Sequence, residues 1–76
     1  MPHVIVKLYA GRSEQHKAGI AEAVTKAIME SAGSAERSIS VSVEDIQPEE
    51  WVEQVYRPDI MEKMDLVYKK PGYDPL

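Results

Sequence analysis

The chain has no cysteine, and that absence removes both a disulfide framework and a thiolate nucleophile. Two histidines with no cysteine beside them argue against a zinc site. There is no Lys/Arg-rich run and no interleaving of aromatic with basic residues, and the net charge is −4. Nucleic acid, which demands a concentrated cationic face, is therefore not the expected partner. A small anionic substrate stays compatible with an acidic surface, because charge focused in a cleft rather than net charge sets the local field. No apolar run approaches a membrane span, and the opening MPHVIVKLYAGR is too polar for a signal peptide. The expectation is a cytoplasmic protein with no membrane partner. No repeat or low-complexity linker divides the 76 residues, so one domain is expected over 1–76. A lone domain of that size buries a modest fraction of its surface, and without disulfide or metal the remaining means of stabilisation is homo-oligomerisation.

What is present is a clear alternation of patterns. Residues His3 to Tyr9 read HVIVKLY, which puts Val4, Val6 and Leu8 on one strand face and His3, Ile5 and Lys7 on the other. Ala10-Gly11-Arg12-Ser13 closes that strand, Ser13 is a good N-cap, and Glu14 places negative charge in a helical first turn. Ile20, Val24 and Ile28, with Ala21 and Ala27 beside them, then repeat at helical spacing until Ser31-Ala32-Gly33-Ser34. A second alternating run, Ser38 to Val43, sets Ile39, Val41 and Val43 against small hydroxyls. Strand, helix, strand predicts a βαβ unit with parallel strands. The fold class expected is α+β: that unit over 2–46, with short helices and a tail over 47–76, and the sheet completed by self-association. In the second part Pro48 opens one helical piece with Trp51, Val52 and Val55 on its apolar side. Pro58 interrupts and opens another with Ile60, Met61, Met64 and Val67, ending at Lys69 and Lys70, and Tyr73 begins a loose tail.

The residue with the most distinctive chemistry is Pro2. Behind a peptide bond its nitrogen is a non-basic amide. Once Met1 is removed it is a terminal secondary amine, and terminal amines titrate near neutrality. A base of that pKa can accept and return a proton near neutral pH. Desolvation and a nearby arginine would lower the amine's pKa further.

The proline after Met1, the strand behind it, Gly11-Arg12-Ser13 opening the helix, and an aromatic residue after the second strand together resemble the 4-oxalocrotonate tautomerase family, over roughly residues 2 to 51. The resemblance implies an isomerase. In it Pro2 is the general base, Arg12 binds and polarises a substrate carboxylate or carbonyl, and Trp51 keeps the proline pocket apolar. No cofactor is called for. The family's best-known members carry a second arginine where this chain has Ser40, which points away from dicarboxylates toward a monocarboxylate enol or keto acid; Arg37, Arg57 and Lys7 are the possible replacements. The chain also runs past the usual family length, like a bacterial branch with a C-terminal helical extension, for which a dimer is favoured and a hexamer is possible. The pocket walls are expected to come from more than one subunit.

Other polar residues carry weaker signals. His3 adjoins the base on the opposite strand face from Val4, and reads first as a half-exposed strand residue. His16 has no second histidine four residues away, as a helical metal pair requires. Glu44 and Asp45 alternate faces instead of converging, and nothing in the spacing of Tyr56 favours catalysis over packing. Two alternatives stand beside the tautomerase. One is a hydratase or dehalogenase in which protonated Pro2 is a general acid and Glu49 or Glu50 activates water. The other is a non-catalytic oligomeric binding module, in which a retained Met1 leaves the Pro2 nitrogen an amide.

Overall fold

The structure is a computed structural model and describes all residues, 1–76. Two strands, β1 (His3–Tyr9) and β2 (Ser40–Ile46), pair in parallel, with helix α1 (Glu14–Ala32) between them in sequence. The register sets His3 opposite Ser40 and runs to Tyr9 opposite Ile46. Two further bonds extend the ladder: Ser40 N–H donates to the Pro2 carbonyl (3.2 Å) and Ala10 N–H donates to the Ile46 carbonyl (2.9 Å).

The helix begins and ends where its sequence dictates. Ser13 Oγ accepts the His16 N–H at 3.0 Å, and Gly33 closes the other end at φ 68°, donating its N–H to Met29. Glycine occupies that left-handed position without the steric cost of a Cβ. Ile20, Val24 and Ile28 form a half-buried stripe joined by Ala21, whereas Ala27 faces solvent. Lys17 ties the first turn to the sheet, since its Nζ lies 2.7 Å from Glu14 and 2.9 Å from Asp45. Those two hydrogen bonds raise its pKa, and the paired carboxylates offset a cation placed at the positive end of the helix dipole.

Strand β2 starts two residues later than the alternation predicts and runs three further. Ser38 Oγ donates to the Ala35 carbonyl (2.8 Å) and closes a 3-10 turn over Glu36–Ser38, so Ser38 and Ile39 leave the strand. A hydroxyl that satisfies a nearby carbonyl competes with the ladder in this way. Glu44 and Asp45 belong to the strand, on opposite faces, as expected.

The largest departures lie beyond residue 46. A 3-10 turn (Pro48–Glu50) leads into a π-helix (Val52–Met61) that runs through Pro58, so the expected break at that proline does not occur. Proline in an α-helix clashes with the carbonyl four residues back. The helix here is the wider i→i−5 form, as where Glu62 N–H donates to the Arg57 carbonyl (3.0 Å), and Pro58, which has no N–H, leaves one rung of it unmade. Nor does a helix reach Lys69 and Lys70: after Met61 only a 3-10 turn (Met64–Leu66) forms. Helical propensity there is not backed by packing, since Leu66 is 66% exposed, and short helices without a buried face are marginal.

Only Ile46, Val55 and Tyr56 are buried, while Ile5 and Tyr9 on the sheet face away from α1 remain 53% and 48% exposed. The π-helix covers part of that face, held by Lys7 Nζ against Asp59 Oδ2 at 2.6 Å. The Asp59 hydrogen bond raises the Lys7 pKa above 10.5, outweighing desolvation. A pKa raised in the folded state stabilises fully below the unfolded value of about 10.4 and ceases to do so as pH climbs through the folded value. The Tm gap between wild type and Lys7→Met is therefore expected to hold from neutral pH up to the unfolded lysine value and to close as pH climbs above it. A gap that stays constant over that range removes this ion pair from the docking of the π-helix. No helix is long and apolar enough to cross a membrane.

Candidate functional site

The two ends of β1 carry different chemistry. At its C-terminal end Gly11, at φ 126°, turns the chain so that Arg12 leaves the strand and Ser13 caps α1. One Nη1 hydrogen of Arg12 goes to the Tyr9 carbonyl (3.2 Å), and no carboxylate pairs with the guanidinium. Arginine has five N–H donors in a planar fork, so most remain free for a bidentate partner such as a carboxylate. The Tyr9 ring stands edge-on to Trp51, centroids 5.2 Å apart at 79°. The indole Nε1–H of Trp51 donates to the Tyr73 hydroxyl at 3.0 Å, and Tyr73 in turn packs on Tyr56 with centroids 5.9 Å apart. Arg12 and Trp51 are thus brought to the same strand end through Tyr9. The tail, expected to be loose from Tyr73, folds back instead, because Tyr73 finds both an N–H donor and an aromatic face.

Trp51 is a shared wall between two clefts. On one side Tyr9, Trp51 and Tyr73 line about 210 Å³. On the other, about 430 Å³ is bounded by Ile5, Lys7, Trp51, Val55, Ile60 and the carboxylate of Asp59. In the second cleft Lys7 is paired with Asp59 at 2.6 Å, and Lys63 lies 3.9 Å from the same carboxylate.

Pro2 lies at the opposite end. It is half-buried and bonded through its carbonyl to Ser40, next to a depression of about 360 Å³ formed by Met1, Ala35, Arg37 and Ser38. Seven strand residues separate Pro2 from Ala10, which at 3.3 Å per residue is on the order of 20 Å. Within one chain, therefore, the proline is not brought to Arg12 or Trp51. Ser40, standing where the second arginine was expected, is bonded to His3 (Nδ1 to Oγ, 2.7 Å), which is exposed. Of the three replacement cations, Lys7 is taken by Asp59 and Arg57 by Glu53 (3.0 Å), while Arg37 has no ion pair and lies beside the N-terminus. Glu49 and Glu50 are exposed next to Trp51, and Glu50 accepts a hydrogen bond from Gln54. Tyr56, whose spacing did not favour catalysis over packing, is buried, and His16 is exposed.

Sequence reasoning missed Tyr9 and Tyr73. Tyr9 had a signal, because it continues the His3, Ile5, Lys7 face to the strand end beside Arg12. Tyr73 had none, since its partners lie 22 and 17 residues away in the chain.

Comparison with known proteins bears on the family and the fold. The profile of the tautomerase enzyme family matches residues 2–58. A protein named "probable tautomerase" from Xylella fastidiosa (strain 9a5c) is 40% identical over 76 residues, covering 100% of this chain and 93% of its own. Tautomerase PptA of Pectobacterium carotovorum subsp. carotovorum (strain PC1) is 40% identical over 74 residues, covering 96% and 97%. Among solved structures, TomN, described as a 4-oxalocrotonate tautomerase homologue in the tomaymycin biosynthetic pathway, superposes with a TM-score of 0.64 at 40% identity, covering 66% of this chain and 77% of its own. The sequence relatives thus span the C-terminal extension, whereas TomN matches two-thirds of the chain. With a family match over most of its length, near full-length tautomerase relatives and a shared βαβ fold, the chain belongs to the tautomerase family and is of the 4-oxalocrotonate tautomerase type.

Proposed function

We propose that this protein catalyses keto-enol isomerisation of a small 2-oxo or 2-hydroxy monocarboxylic acid, as one domain over 1–76 working in a cytoplasmic homodimer. Pro2, freed of Met1, takes the enol proton or an acidic carbon proton and returns it to carbon. Arg12 holds the carboxylate in its guanidinium fork. Trp51 keeps water from the reacting atoms, and Arg37, unpaired beside the N-terminus, disfavours the ammonium form of Pro2.

The observation that carries this reading is the separation of Pro2 from the Arg12, Tyr9 and Trp51 cluster along one strand. A two-fold axis that sets two copies of β1 antiparallel lays the proline end of one against the arginine end of the other, and each dimer gains two complete sites. The free edges of the two-stranded sheet and the exposed Ile5 and Tyr9 give such a partner something to cover. An antiparallel pairing thus answers the incomplete core and the incomplete site with one interface.

The test is ultraviolet monitoring of phenylenolpyruvate ketonisation by protein shown by mass to lack Met1. Acceleration whose kcat/KM rises with pH through the titration of an amine supports Pro2 as base. A profile that falls as the amine loses its proton assigns Pro2 as a general acid, the hydratase-like alternative, and no acceleration leaves a binding module.

A further inference from the structure

We propose that Tyr73, on the C-terminal tail, is a specificity-determining positioning residue, and that the cleft it forms with Tyr9 and Trp51 receives an aryl or similarly flat unsaturated group of the substrate. This rests on the tautomerase reading above and names its substrate class. Three observations meet at this place. The cleft has three aromatic walls and a volume of about 210 Å³, larger than the ~150 Å³ apolar cavity that takes up benzene. Its Tyr9 wall carries the carbonyl to which Arg12 donates at 3.2 Å, so the guanidinium is fixed to the backbone of a wall residue. The Trp51 wall is held in orientation by the tail, because the Tyr73 hydroxyl accepts the indole N–H at 3.0 Å while its ring rests on Tyr56.

An anion anchor beside an aromatic slot selects a particular shape of acid: a carboxylate joined to a flat apolar group that stacks or sits edge-on between rings. A short aliphatic 2-oxo acid satisfies Arg12 and leaves the slot wet. Tyr73 does not reach the reacting atoms in this scheme. It acts through Trp51, and it does so from the C-terminal extension, which the alignments with the Xylella and Pectobacterium relatives span.

The sole tryptophan makes the cleft directly observable. Phenylacetate and acetate, which cannot turn over, are titrated against Trp51 fluorescence in wild type, Tyr73→Phe, Tyr73→Ala and Arg12→Ala, beside kinetics on phenylenolpyruvate and the enol of 2-oxobutyrate. Tyr73→Phe keeps the ring and removes only the acceptor. It is expected to shift Trp51 emission to longer wavelength, to weaken phenylacetate binding and to raise KM for the aryl enol by roughly 2- to 10-fold, with kcat little changed. Tyr73→Ala also loses a wall, and the preference for aryl over aliphatic enol falls by on the order of 10-fold. Because Tyr73 is 48% exposed, Tyr73→Phe is expected to keep the fold even if the alanine variant does not. Equal losses for both enols, or an emission and phenylacetate affinity unmoved in Tyr73→Phe, overturn the proposal. If no form accelerates ketonisation but phenylacetate binding still depends on Tyr73 and Arg12, the cleft stands and the catalytic assignment of Pro2 falls. Turnover with aryl selectivity indifferent to Tyr73 has the opposite meaning.

Discussion

Placing one uncleavable residue ahead of Pro2 is expected to lower kcat for phenylenolpyruvate by about 10²- to 10⁴-fold, the range that positioned general-base catalysis supplies. The change leaves every side chain in place. It converts the Pro2 nitrogen from a secondary amine into an amide whose lone pair is delocalised into the carbonyl, so no proton can be accepted there. Pro2→Ala in protein lacking Met1 is a milder test, because the new terminus is still an amine with a pKa near 8. What it loses is the ring that fixes the lone pair at the head of β1, and a reduction of about 10- to 10²-fold is expected from misplacement alone. Both values are read from progress curves on mass-verified protein. An extended terminus with the parent's kcat removes Pro2 from the chemistry, and the pH profile then has to be explained by another group.

In the second prediction, mixing two impaired variants is expected to restore activity. Pro2→Ala and Arg12→Ala chains are each expected to form dimers in which every site has lost either its positioned proline amine or its anchor. Unfolded together and refolded at equal amounts, half of the molecules become heterodimers. In each of these the Pro2 of the Arg12→Ala chain meets the Arg12 of the Pro2→Ala chain, giving one parental site out of two. Specific activity is thus expected to return to about one quarter of wild type. The figure follows only if the two residues of one site come from different chains. The ~20 Å strand between Pro2 and the turn carrying Arg12 requires this of any single substrate small enough for these clefts. A mixture no more active than the sum of its parts contradicts the shared site. Size exclusion at the same concentrations separates that result from a failure to dimerise.

The legibility of this protein followed the range of the interactions involved. Ser13, Gly33 and the Ile20, Val24, Ile28 stripe act within one helix, and each did in the structure what its spacing implied. Strand β1 was equally plain, since alternation over seven residues admits one assignment of faces. Errors began where two local preferences competed. Ser38 satisfied an alternating strand pattern, but its hydroxyl found the Ala35 carbonyl and closed a turn. Pro58 signalled a helix start by every α-helical rule, and the chain answered by widening the helix to i→i−5.

What the sequence by itself determined was the chemistry available: a proline able to become a terminal amine, an arginine opening a helix, a single tryptophan after the second strand, and a βαβ pattern to space them. Only the tertiary structure decided how those groups are distributed. It set Pro2 and Arg12 at opposite ends of one strand, left Arg37 unpaired beside Pro2 while Asp59 and Glu53 took Lys7 and Arg57, and brought Tyr73 back onto Trp51. The physical reason is the same in each case. Spacing along the chain fixes which residues share a face of one element, because helix and strand have fixed periods. Ion pairs and aromatic contacts between residues tens of positions apart depend on where elements dock, and docking is settled by burial summed over the whole fold.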